Sequence, residues 1–283
     1  MRNFVFTDHI FPLGKKTYIM GILNVTPDSF SDGGKYSETA LALRHAEKMA
    51  EEGADIIDIG AVSTRPFSDA VVSEETEWMR LKDVLSEIKK HIGVPVSVDT
   101  FNVSVAEKCL MAGADIINDV SGVFSSEMAE LIKKYNAGWV MMHGGVNIRK
   151  TEAVVDFGGG LVEDINCFFS DVIKKAEENG IDRERVLLDA GFGFSKTNEQ
   201  SIFLLENYDR LETEGAGLLC ALSRKRFVGE LSGENDTADR LAGTVAANMA
   251  AVMRGADVIR VHDVAFHKKC FRTADRFLRN DSI

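Results

Sequence analysis

The sequence predicts a (β/α)8 TIM barrel, an α/β fold built as a single domain over residues 1–283. One observation is an internal repeat: Gly-Ala-Asp followed by two Ile or Val residues occurs at 53–57, 113–117 and 255–259. Each copy follows a segment of helical periodicity, so its glycine suits the left-handed residue that ends a helix. The apolar pair then begins a short strand buried on both faces, as in parallel sheets. The repeated unit is therefore a helix, a turn and a strand.

The second observation is that eight apolar segments of strand length alternate with segments of helical length. Eight such units in 283 residues fit a (β/α)8 barrel, and a doubly wound open sheet is the structural alternative. The predicted strands are Tyr18–Asn24, Ile56–Gly60, Val96–Asp99, Ile116–Asp119, Trp139–His143, Val186–Asp189, Leu218–Leu222 and Val258–His262. The clearest helical segments are Glu74–His91, Val103–Ala112, Leu161–Asn179 and Asn235–Arg254.

Composition excludes several classes of function. The formal net charge of −11 argues against nucleic acid or an anionic membrane as a partner. No apolar run approaches the ~18 residues of a membrane span, and Asp8 and His9 interrupt the apolar N-terminus, so no signal peptide is predicted. The four cysteines lie far apart without C-x-x-C spacing, which indicates reduced thiols. We expect a soluble, cytoplasmic protein.

Almost every predicted strand ends in a polar side chain or is followed by one, at the end of a barrel where active sites form. These side chains are Asn24, Ser63–Arg65, Asp99, Asn118, His143, Asp189, Ser223–Lys225, Arg260 and His262. The first strand leads into a polar, glycine-containing loop at 25–34, which is the usual setting for a loop that closes over a substrate. The predicted site is therefore at the carboxyl ends of the strands.

Two groups within this set indicate the chemistry of the ligand. Asp99, Asn118 and Asp189 would accept hydrogen bonds from a flat heterocycle that carries N–H and NH2 groups. Arg65, Lys225, Arg260 and His262 form a cationic group suited to phosphate oxygens. The structural alternative is that these cations pair with the aspartates in an ion network.

The histidines do not predict a zinc site, because none has a partner at metal-ligand spacing. His9, His45, His91 and His267 are interpreted as surface or capping residues. A divalent ion shared with a diphosphate stays open, since Mg²⁺ keeps most of its waters and needs few protein ligands.

The motifs, taken together, resemble those of the dihydropteroate synthase family of pterin-binding enzymes over nearly the whole chain. In order along the sequence they are 24–34, Ser63-Thr64-Arg65-Pro66, Val96–Thr100, Ile117–Gly122, Asp189–Lys196, Ser223-Arg224-Lys225 and Arg260-Val261-His262-Asp263. Any one of them alone would be weak evidence, whereas the full set in the family order is specific.

The resemblance implies a role for each matching residue. It implies a pterin site of Asp99, Asn118, Asp189 and Lys225, and a diphosphate site of Ser63, Thr64, Arg260 and His262. It implies a p-aminobenzoate site of Thr26, Phe30, Pro66, Phe194 and Ser223, and Mg²⁺ as cofactor with Asn24 as its ligand. The catalytic residues that it implies are Asn24, Asp32, Arg65, Lys225, Arg260 and His262.

The reaction implied is a transfer in folate biosynthesis. It joins (7,8-dihydropterin-6-yl)methyl diphosphate to p-aminobenzoate and releases pyrophosphate; family members are sulfonamide targets and commonly homodimers. A related pterin-dependent methyltransferase and a pterin-binding paralogue without efficient synthase activity are the alternatives. The methyltransferase needs no diphosphate site and no 27–34 loop, and both are present here.

Four places depart from the usual family pattern. Val62 stands where the family has a glutamate, and Gly144-Gly145 follows His143 where a methionine normally packs on the pterin. The family's Asp-Pro-Gly is Asp189-Ala190-Gly191 here, and Ser195 occupies a position that is often glycine. None of these changes removes a group assigned to the pterin ring or the diphosphate.

Overall fold

The computed structural model describes residues 2–26, 35–62, 72–144 and 160–279, with residues 35–37 described by their backbone only. An N-terminal hairpin of β1 (Asn3–Phe6) and β2 (His9–Pro12) precedes eight parallel strands. These are β3 (Tyr18–Asn24), β4 (Ile56–Gly60), β5 (Val96–Asp99), β6 (Ile116–Asp119), β7 (Gly138–Met142), β8 (Val186–Asp189), β9 (Gly217–Cys220) and β10 (Val258–Val261).

The eight strands close into a barrel in chain order, with β10 pairing both β9 and β3. This confirms the predicted (β/α)8 barrel and excludes the open sheet. Five predicted strands have the observed bounds, and the other three differ by one or two residues at their ends. Every residue of β4, β5, β6, β7, β8 and β9 is buried, as expected for parallel strands covered on both faces.

Nine α-helices are described outside the barrel strands. They are α1 (Lys35–Glu51), α2 (Glu74–His91), α3 (Val103–Met111), α4 (Ser126–Tyr135), α5 (Leu161–Glu178), α6 (Asn198–Glu206), α7 (Arg226–Ser232), α8 (Leu241–Met253) and α9 (Val264–Leu278). The predicted helix Asn235–Arg254 starts six residues later, at Leu241, after the shorter α7 ends at Gly233 in a left-handed conformation. Within the described ranges, no helix is long and apolar enough to cross a membrane.

The N-terminal hairpin covers the end of the barrel opposite the predicted site, and sequence reasoning did not predict it. Phe4 and Phe6 are fully buried and pack with Tyr18, which begins β3. Gly138, the first residue of β7, leaves room for them: a Cβ there would lie 2.6 Å from the Phe4 ring. The hairpin therefore closes the barrel floor with aromatic side chains.

The three repeated aspartates perform the same task at that end. Asp55, Asp115 and Asp257 accept hydrogen bonds from the backbone N–H groups of Ile19, Val96 and Leu218, at 2.9, 2.8 and 3.1 Å. In each case the aspartate's own N–H donates to the carbonyl of that same residue at 2.8 Å. The repeat therefore pins each strand's start to a neighbouring strand.

One histidine prediction is wrong. His267 is fully buried on α9 rather than placed at the surface; its Nδ1 lies 2.8 Å from the Asp263 carbonyl and its Nε2 lies 3.1 Å from Asn248 Nδ2. Because the carbonyl can only accept, Nδ1 carries the proton and Nε2 accepts from the amide. Burial lowers the pKa of His267, so the imidazole is a neutral part of the core.

Candidate active site

The register of four neighbouring strands aligns the first polar residues of the site. Asn24 of β3 is opposite Gly60 of β4, Gly60 is opposite Asp99 of β5, and Asp99 is opposite Asn118 of β6. A Cβ at Gly60 would lie 3.8 Å from the Asn24 side-chain oxygen and 3.6 Å from the Asp99 Cβ. Glycine at this position therefore leaves a space between an amide oxygen and a buried carboxylate.

Arg260 of β10 crosses the mouth of the barrel and contacts two carboxylates. Its Nε donates to Asp58 Oδ2 at 2.6 Å, and its Nη2 donates to Asp99 Oδ2 at 3.0 Å. The same Asp58 oxygen accepts from Asn118 Nδ2 at 3.2 Å. The ion network considered as an alternative from sequence is thus present at Arg260, and it lies within the predicted site.

Asp58 is a site residue that sequence reasoning missed. It is fully buried in β4, and its Oδ1 makes no hydrogen bond in the part of the chain that the structure describes. A buried carboxylate oxygen without a donor is costly, and a ligand N–H group would supply one. The available signal was a carboxylate inside the apolar strand Ile56–Gly60, in the third position after the repeated Asp55.

Asp189 and Lys225 form the opposite side of the site. Asp189 ends β8 with 5% exposure, and its Oδ1 accepts from the Gly191 N–H at 2.8 Å. Burial raises the pKa of Asp189, while Lys225 opposes that shift. Burial also lowers the pKa of Lys225 to about 8, against the attraction of Asp189. The buried Asp189 and the half-buried Lys225 thus place an acceptor and a donor on this side of the barrel mouth.

Lys225 also fixes the neighbouring turn. Its Nζ donates to the Phe192 carbonyl and lies 4.4 Å from the centre of the Phe194 ring. Ser223, two residues earlier, is 9% exposed and contacts His262 twice. The Ser223 hydroxyl accepts from the His262 backbone N–H at 3.2 Å, and its oxygen is within hydrogen-bond distance of His262 Nδ1 at 2.9 Å. His262 therefore turns its Nε2 away from Ser223.

A cavity of about 440 Å³ opens beside Asn24 and His262. Its wall includes His45 and Lys48 of α1 and the first turn of α9. The positive charge of Lys48 and a helix N-terminus are favourable surroundings for an anion, although Glu52 and Asp263 also line this wall. The cavity extends the site towards the outer helices on the side of Asn24.

The structure thus brings the four residues predicted for the pterin to the same end of the barrel as two of the four predicted for the diphosphate, Arg260 and His262. Thr26 follows β3 and is half-buried, and Phe194 lies against Lys225. The predictions for Phe30, Asp32, Ser63, Thr64, Arg65 and Pro66 fall outside the residues that the structure describes.

Comparison with known proteins agrees with this arrangement. The family model described as pterin binding enzyme matches residues 20–262. A dihydropteroate synthase of Synechocystis sp. is 39% identical over 95% of this chain and 93% of its own length. The chain belongs to the dihydropteroate synthase family.

Solved structures of the family share the whole fold. The dihydropteroate synthase of Clostridium difficile, crystallised in the presence of pteroic acid, matches with a TM-score of 0.88 at 38% identity, over 95% of this chain and all of that one. The Xanthomonas albilineans enzyme in complex with 7,8-dihydropteroate matches with a TM-score of 0.84 at 35% identity, over 95% and 96% of the two chains.

Two departures from the usual pattern of the dihydropteroate synthase family meet in space. Gly144 has a φ of +94° and Ser195 a φ of +51°, so both adopt the left-handed backbone that explains why glycine is common at position 195. The Ser195 hydroxyl donates to the Gly144 carbonyl at 3.1 Å. Val62 is half-buried at the edge of the described residues, and nothing in the structure explains this substitution.

The possible metal ligands in the site fit a weakly bound Mg²⁺ better than a metal ion coordinated entirely by protein side chains. Among the described residues, no three His, Cys, Asp or Glu side chains are grouped as metal ligands. The space at Gly60, between Asn24 Oδ1 and Asp99 Oδ2, offers hard oxygen atoms of the kind that Mg²⁺ prefers. A metal bound there would take its other ligands from water and substrate.

Proposed function

We propose that this barrel is a dihydropteroate synthase, which joins (7,8-dihydropterin-6-yl)methyl diphosphate to p-aminobenzoate and releases pyrophosphate. One observation carries the proposal: Asp58, Asp99, Asn118 and Asp189 present buried acceptors at the same barrel mouth that Arg260 and Lys225 enter. A flat heterocycle with several N–H groups and an anionic tail matches this combination.

The pterin ring occupies the buried acceptors. Asp99, Asn118 and Asp189 pair with its amino and ring N–H groups, and Lys225 donates to its acceptors. Desolvation strengthens these bonds, because water cannot compete for carboxylates with about 5% exposure or less. The Asp58 oxygen that makes no hydrogen bond with described residues is an additional acceptor for the same ring.

The diphosphate lies towards Arg260 and His262, with Ser63 and Thr64 as further donors. Arg260 is held by Asp58 and Asp99, so its guanidinium is fixed before substrate arrives and needs little reorganisation. Asn24 would hold Mg²⁺ together with the diphosphate, and the metal would neutralise charge that develops on the leaving group. Asp32 and Arg65 complete the proposed catalytic set.

The aryl amine enters after the leaving group begins to depart. Departure of pyrophosphate leaves a resonance-stabilised pterin cation. The neutral amine of p-aminobenzoate attacks its methylene carbon, and the new secondary ammonium then loses one proton to give dihydropteroate. Phe194 and Ser223, with Thr26, Phe30 and Pro66, shape this side of the site. Exclusion of water from the site during this step would keep the cation from being trapped before the amine attacks. Because sulfonamides act on this family, we also propose that they bind this part of the site.

The test is pyrophosphate release from the pterin diphosphate with Mg²⁺, measured with and without p-aminobenzoate. Release coupled to dihydropteroate formation supports the proposal. Asp189→Asn should lower kcat/KM by at least about 100-fold, since a buried group paired with substrate is lost. The matched control is Asp171→Asn, an exposed aspartate on α5. Pterin binding without coupled release would identify a non-synthase paralogue and contradict the proposal.

We propose a homodimer formed through the outer face of α7 and α8. Leu231 and Met253 are each 63% exposed, and Ala242 and Ala246 are exposed on a helix that contains no charged residue. An apolar surface of this kind favours burial against a second copy. Leu231→Glu combined with Met253→Glu should halve the mass observed by sedimentation velocity, whereas Phe277→Glu on α9 should not. An unchanged mass would contradict this interface.

We also propose the cytoplasm as the compartment. All four cysteines are free thiols in the structure, two of them buried, and disulfide-dependent proteins of oxidising compartments differ in this respect. Localisation of a tagged chain in its native cell would test this assignment, and recovery from an extracytoplasmic fraction would contradict it.

A further inference from the structure

Lys196 is a buried lysine that the proposed chemistry does not use. It is 7% exposed, and its Nζ lies 3.2 Å from the Gly191 carbonyl, 3.2 Å from the Phe194 carbonyl and 3.0 Å from His143 Nδ1. Burial lowers the pKa of Lys196 to about 7, against the attraction of Asp189. In the ammonium form three N–H donors serve these three acceptors, and in the amine form two donors remain. Lys196 therefore ties both ends of the turn 191–194 to one buried amino group.

The imidazole of His143 carries this connection to an outer helix. Its Nε2 donates to Asp164 Oδ2 at 2.8 Å, which leaves Nδ1 as the acceptor for Lys196. Burial, followed by the charge of Lys196, lowers the pKa of His143 to about 4, so the ring is neutral at pH 7. The chain of contacts runs from the turn through Lys196 and His143 to α5.

A third contact crosses to the same turn from the end of β7. The Ser195 hydroxyl donates to the Gly144 carbonyl, and a Cβ at Gly144 would lie 3.0 Å from the Phe194 carbonyl and 3.1 Å from Lys196 Nζ. Gly144 therefore allows the close approach on which the Lys196 contacts depend. Gly144 and Ser195, both departures from the family pattern, are thus in direct contact and both adjoin Lys196.

The turn itself has little intrinsic preference for its conformation. Gly191, Gly193 and Ser195 all have positive φ, at +67°, +70° and +51°. Glycine loses more conformational entropy on ordering than other residues, so such a segment needs external contacts to remain in one shape. It carries Phe194, whose ring lies against Lys225 at the pterin site.

We propose that Lys196 is a positioning residue that holds the turn 191–195 in one conformation and thereby places the Phe194 ring for the incoming aryl amine. The effect on the aryl amine rests on the proposed synthase reaction, whereas the effect of Lys196 on the conformation of the turn does not. Lys196 acts through Phe194 and does not contact the reacting atoms. Its loss should therefore affect p-aminobenzoate more than the pterin diphosphate.

The first test compares Lys196→Met with the wild-type chain by steady-state kinetics, varying each substrate while the other is saturating. Loss of the hydrogen bonds that Lys196 makes to the turn and to His143 should raise KM for p-aminobenzoate at least about tenfold. KM for the pterin diphosphate should rise less, because Asp99 and Asn118 lie on β5 and β6, whereas Asp189 and Lys225 contact the turn. The matched control is Lys174→Met, an exposed lysine on α5, which should leave both constants unchanged.

The second test measures the conformation of the turn directly and does not depend on enzyme activity. Phe194 is replaced by 4-fluorophenylalanine, and its fluorine resonance is recorded in wild type, Lys196→Met and Ser195→Gly. We expect a single sharp resonance in wild type and a shifted or broadened one in both variants. Ser195→Gly removes one hydroxyl at a position whose φ suits glycine, so it preserves folding. It should raise KM for p-aminobenzoate about twofold to fivefold.

Several outcomes overturn the proposal. An unchanged KM for p-aminobenzoate in Lys196→Met, an equal rise in both KM values, or an unchanged fluorine resonance would each do so. If Lys196→Met does not fold, Ser195→Gly decides, and wild-type behaviour in both assays overturns the inference. A wild-type chain that binds pterin but never couples p-aminobenzoate contradicts the proposed reaction instead. The fluorine spectra still test whether Lys196 holds the turn 191–195 in one conformation.

Discussion

Buried charges at the barrel mouth illustrate what sequence can show of single residues. Asp99 and Asp189 were predictable because each is the last residue of an apolar strand, and Asn118 because it is the next-to-last residue of one. Asp58 and Lys196 were missed, since Asp58 lies inside a strand and Lys196 lies in a turn. Their importance comes from Arg260 and His143, which are distant in sequence and close only in the barrel. Strand periodicity carries no information about such pairing.

Asp58→Asn should destabilise the fold and weaken pterin binding. Arg260 loses one of two buried carboxylate partners, and breaking a buried ion pair typically costs about 3 kcal/mol. Asp99 still pairs with the guanidinium, so we expect a decrease of about 2 kcal/mol in the free energy of unfolding. Urea denaturation measures it. Asp171→Asn, which breaks only the exposed pair with Lys175, should change it by less than about 0.5 kcal/mol. Equal effects would contradict the coupling.

The His143 imidazole should make stability depend on pH between about 4 and 6.5. Its pKa falls from the ordinary 6.5 to about 4 in the folded chain, so within this window the unfolded chain binds the proton and the folded chain does not. Stability contributed by neutral His143 is therefore present above pH 6.5 and lost as pH falls towards 4. The slope is at most about 1.4 kcal/mol per pH unit.

The measurement is the difference in unfolding free energy between wild type and His143→Gln across that window. Subtraction removes the opposite contribution of Asp189, whose pKa burial raises. Lys196 and Asp164 face the ring and stay in both chains. A difference that does not vary with pH would show that His143 is protonated in the folded state.

At the scale of elements, the sequence predicted the parts whose periodicity is sustained. Glu74–His91 has the predicted bounds because Ser73 caps its first turn and three basic residues end it. The hairpin at 3–12 was missed, because strands of four residues are too short to show a clear alternation of apolar and polar residues. What makes it an element is the contact of Phe4 and Phe6 with the barrel floor, and only the closed barrel provides that surface.

Phe4→Ala should therefore destabilise the barrel without altering the site. The side chain is fully buried against the floor, and removing such a ring costs about 3–5 kcal/mol. The hairpin lies at the opposite end from Asp99 and Asp189, so KM for both substrates should be unchanged at a temperature where the variant is folded. Phe277→Ala, at a 78% exposed residue, is the control and should leave stability unchanged. A changed KM in Phe4→Ala would show coupling between the two ends.

For the whole molecule, closure of the barrel joins the two ends of the chain. The repeat predicted the barrel because the same helix, turn and strand unit occurs three times. It did not predict that the aspartate of the third copy would connect the two termini. Asp257 accepts from Arg2 through both oxygens at 3.0 Å and lies 3.8 Å from Arg279 Nη1. It also binds the N–H of Leu218 at the start of β9. One buried carboxylate thus joins the first and last described residues to β9, the neighbour of the strand β10 that closes the barrel.

Asp257→Ala should destabilise the two termini together. Arg2 and Arg279 lose a fully buried partner, and the Leu218 N–H loses its acceptor, so we expect a loss of about 3–5 kcal/mol in unfolding free energy. Hydrogen exchange should rise in both β1 and the end of α9, because each depends on the same carboxylate. The control, Asp209→Ala at an exposed position, should change neither region. Faster exchange at one terminus alone would mean that the ends are held independently, and that Asp257 serves β9 rather than the closure of the chain.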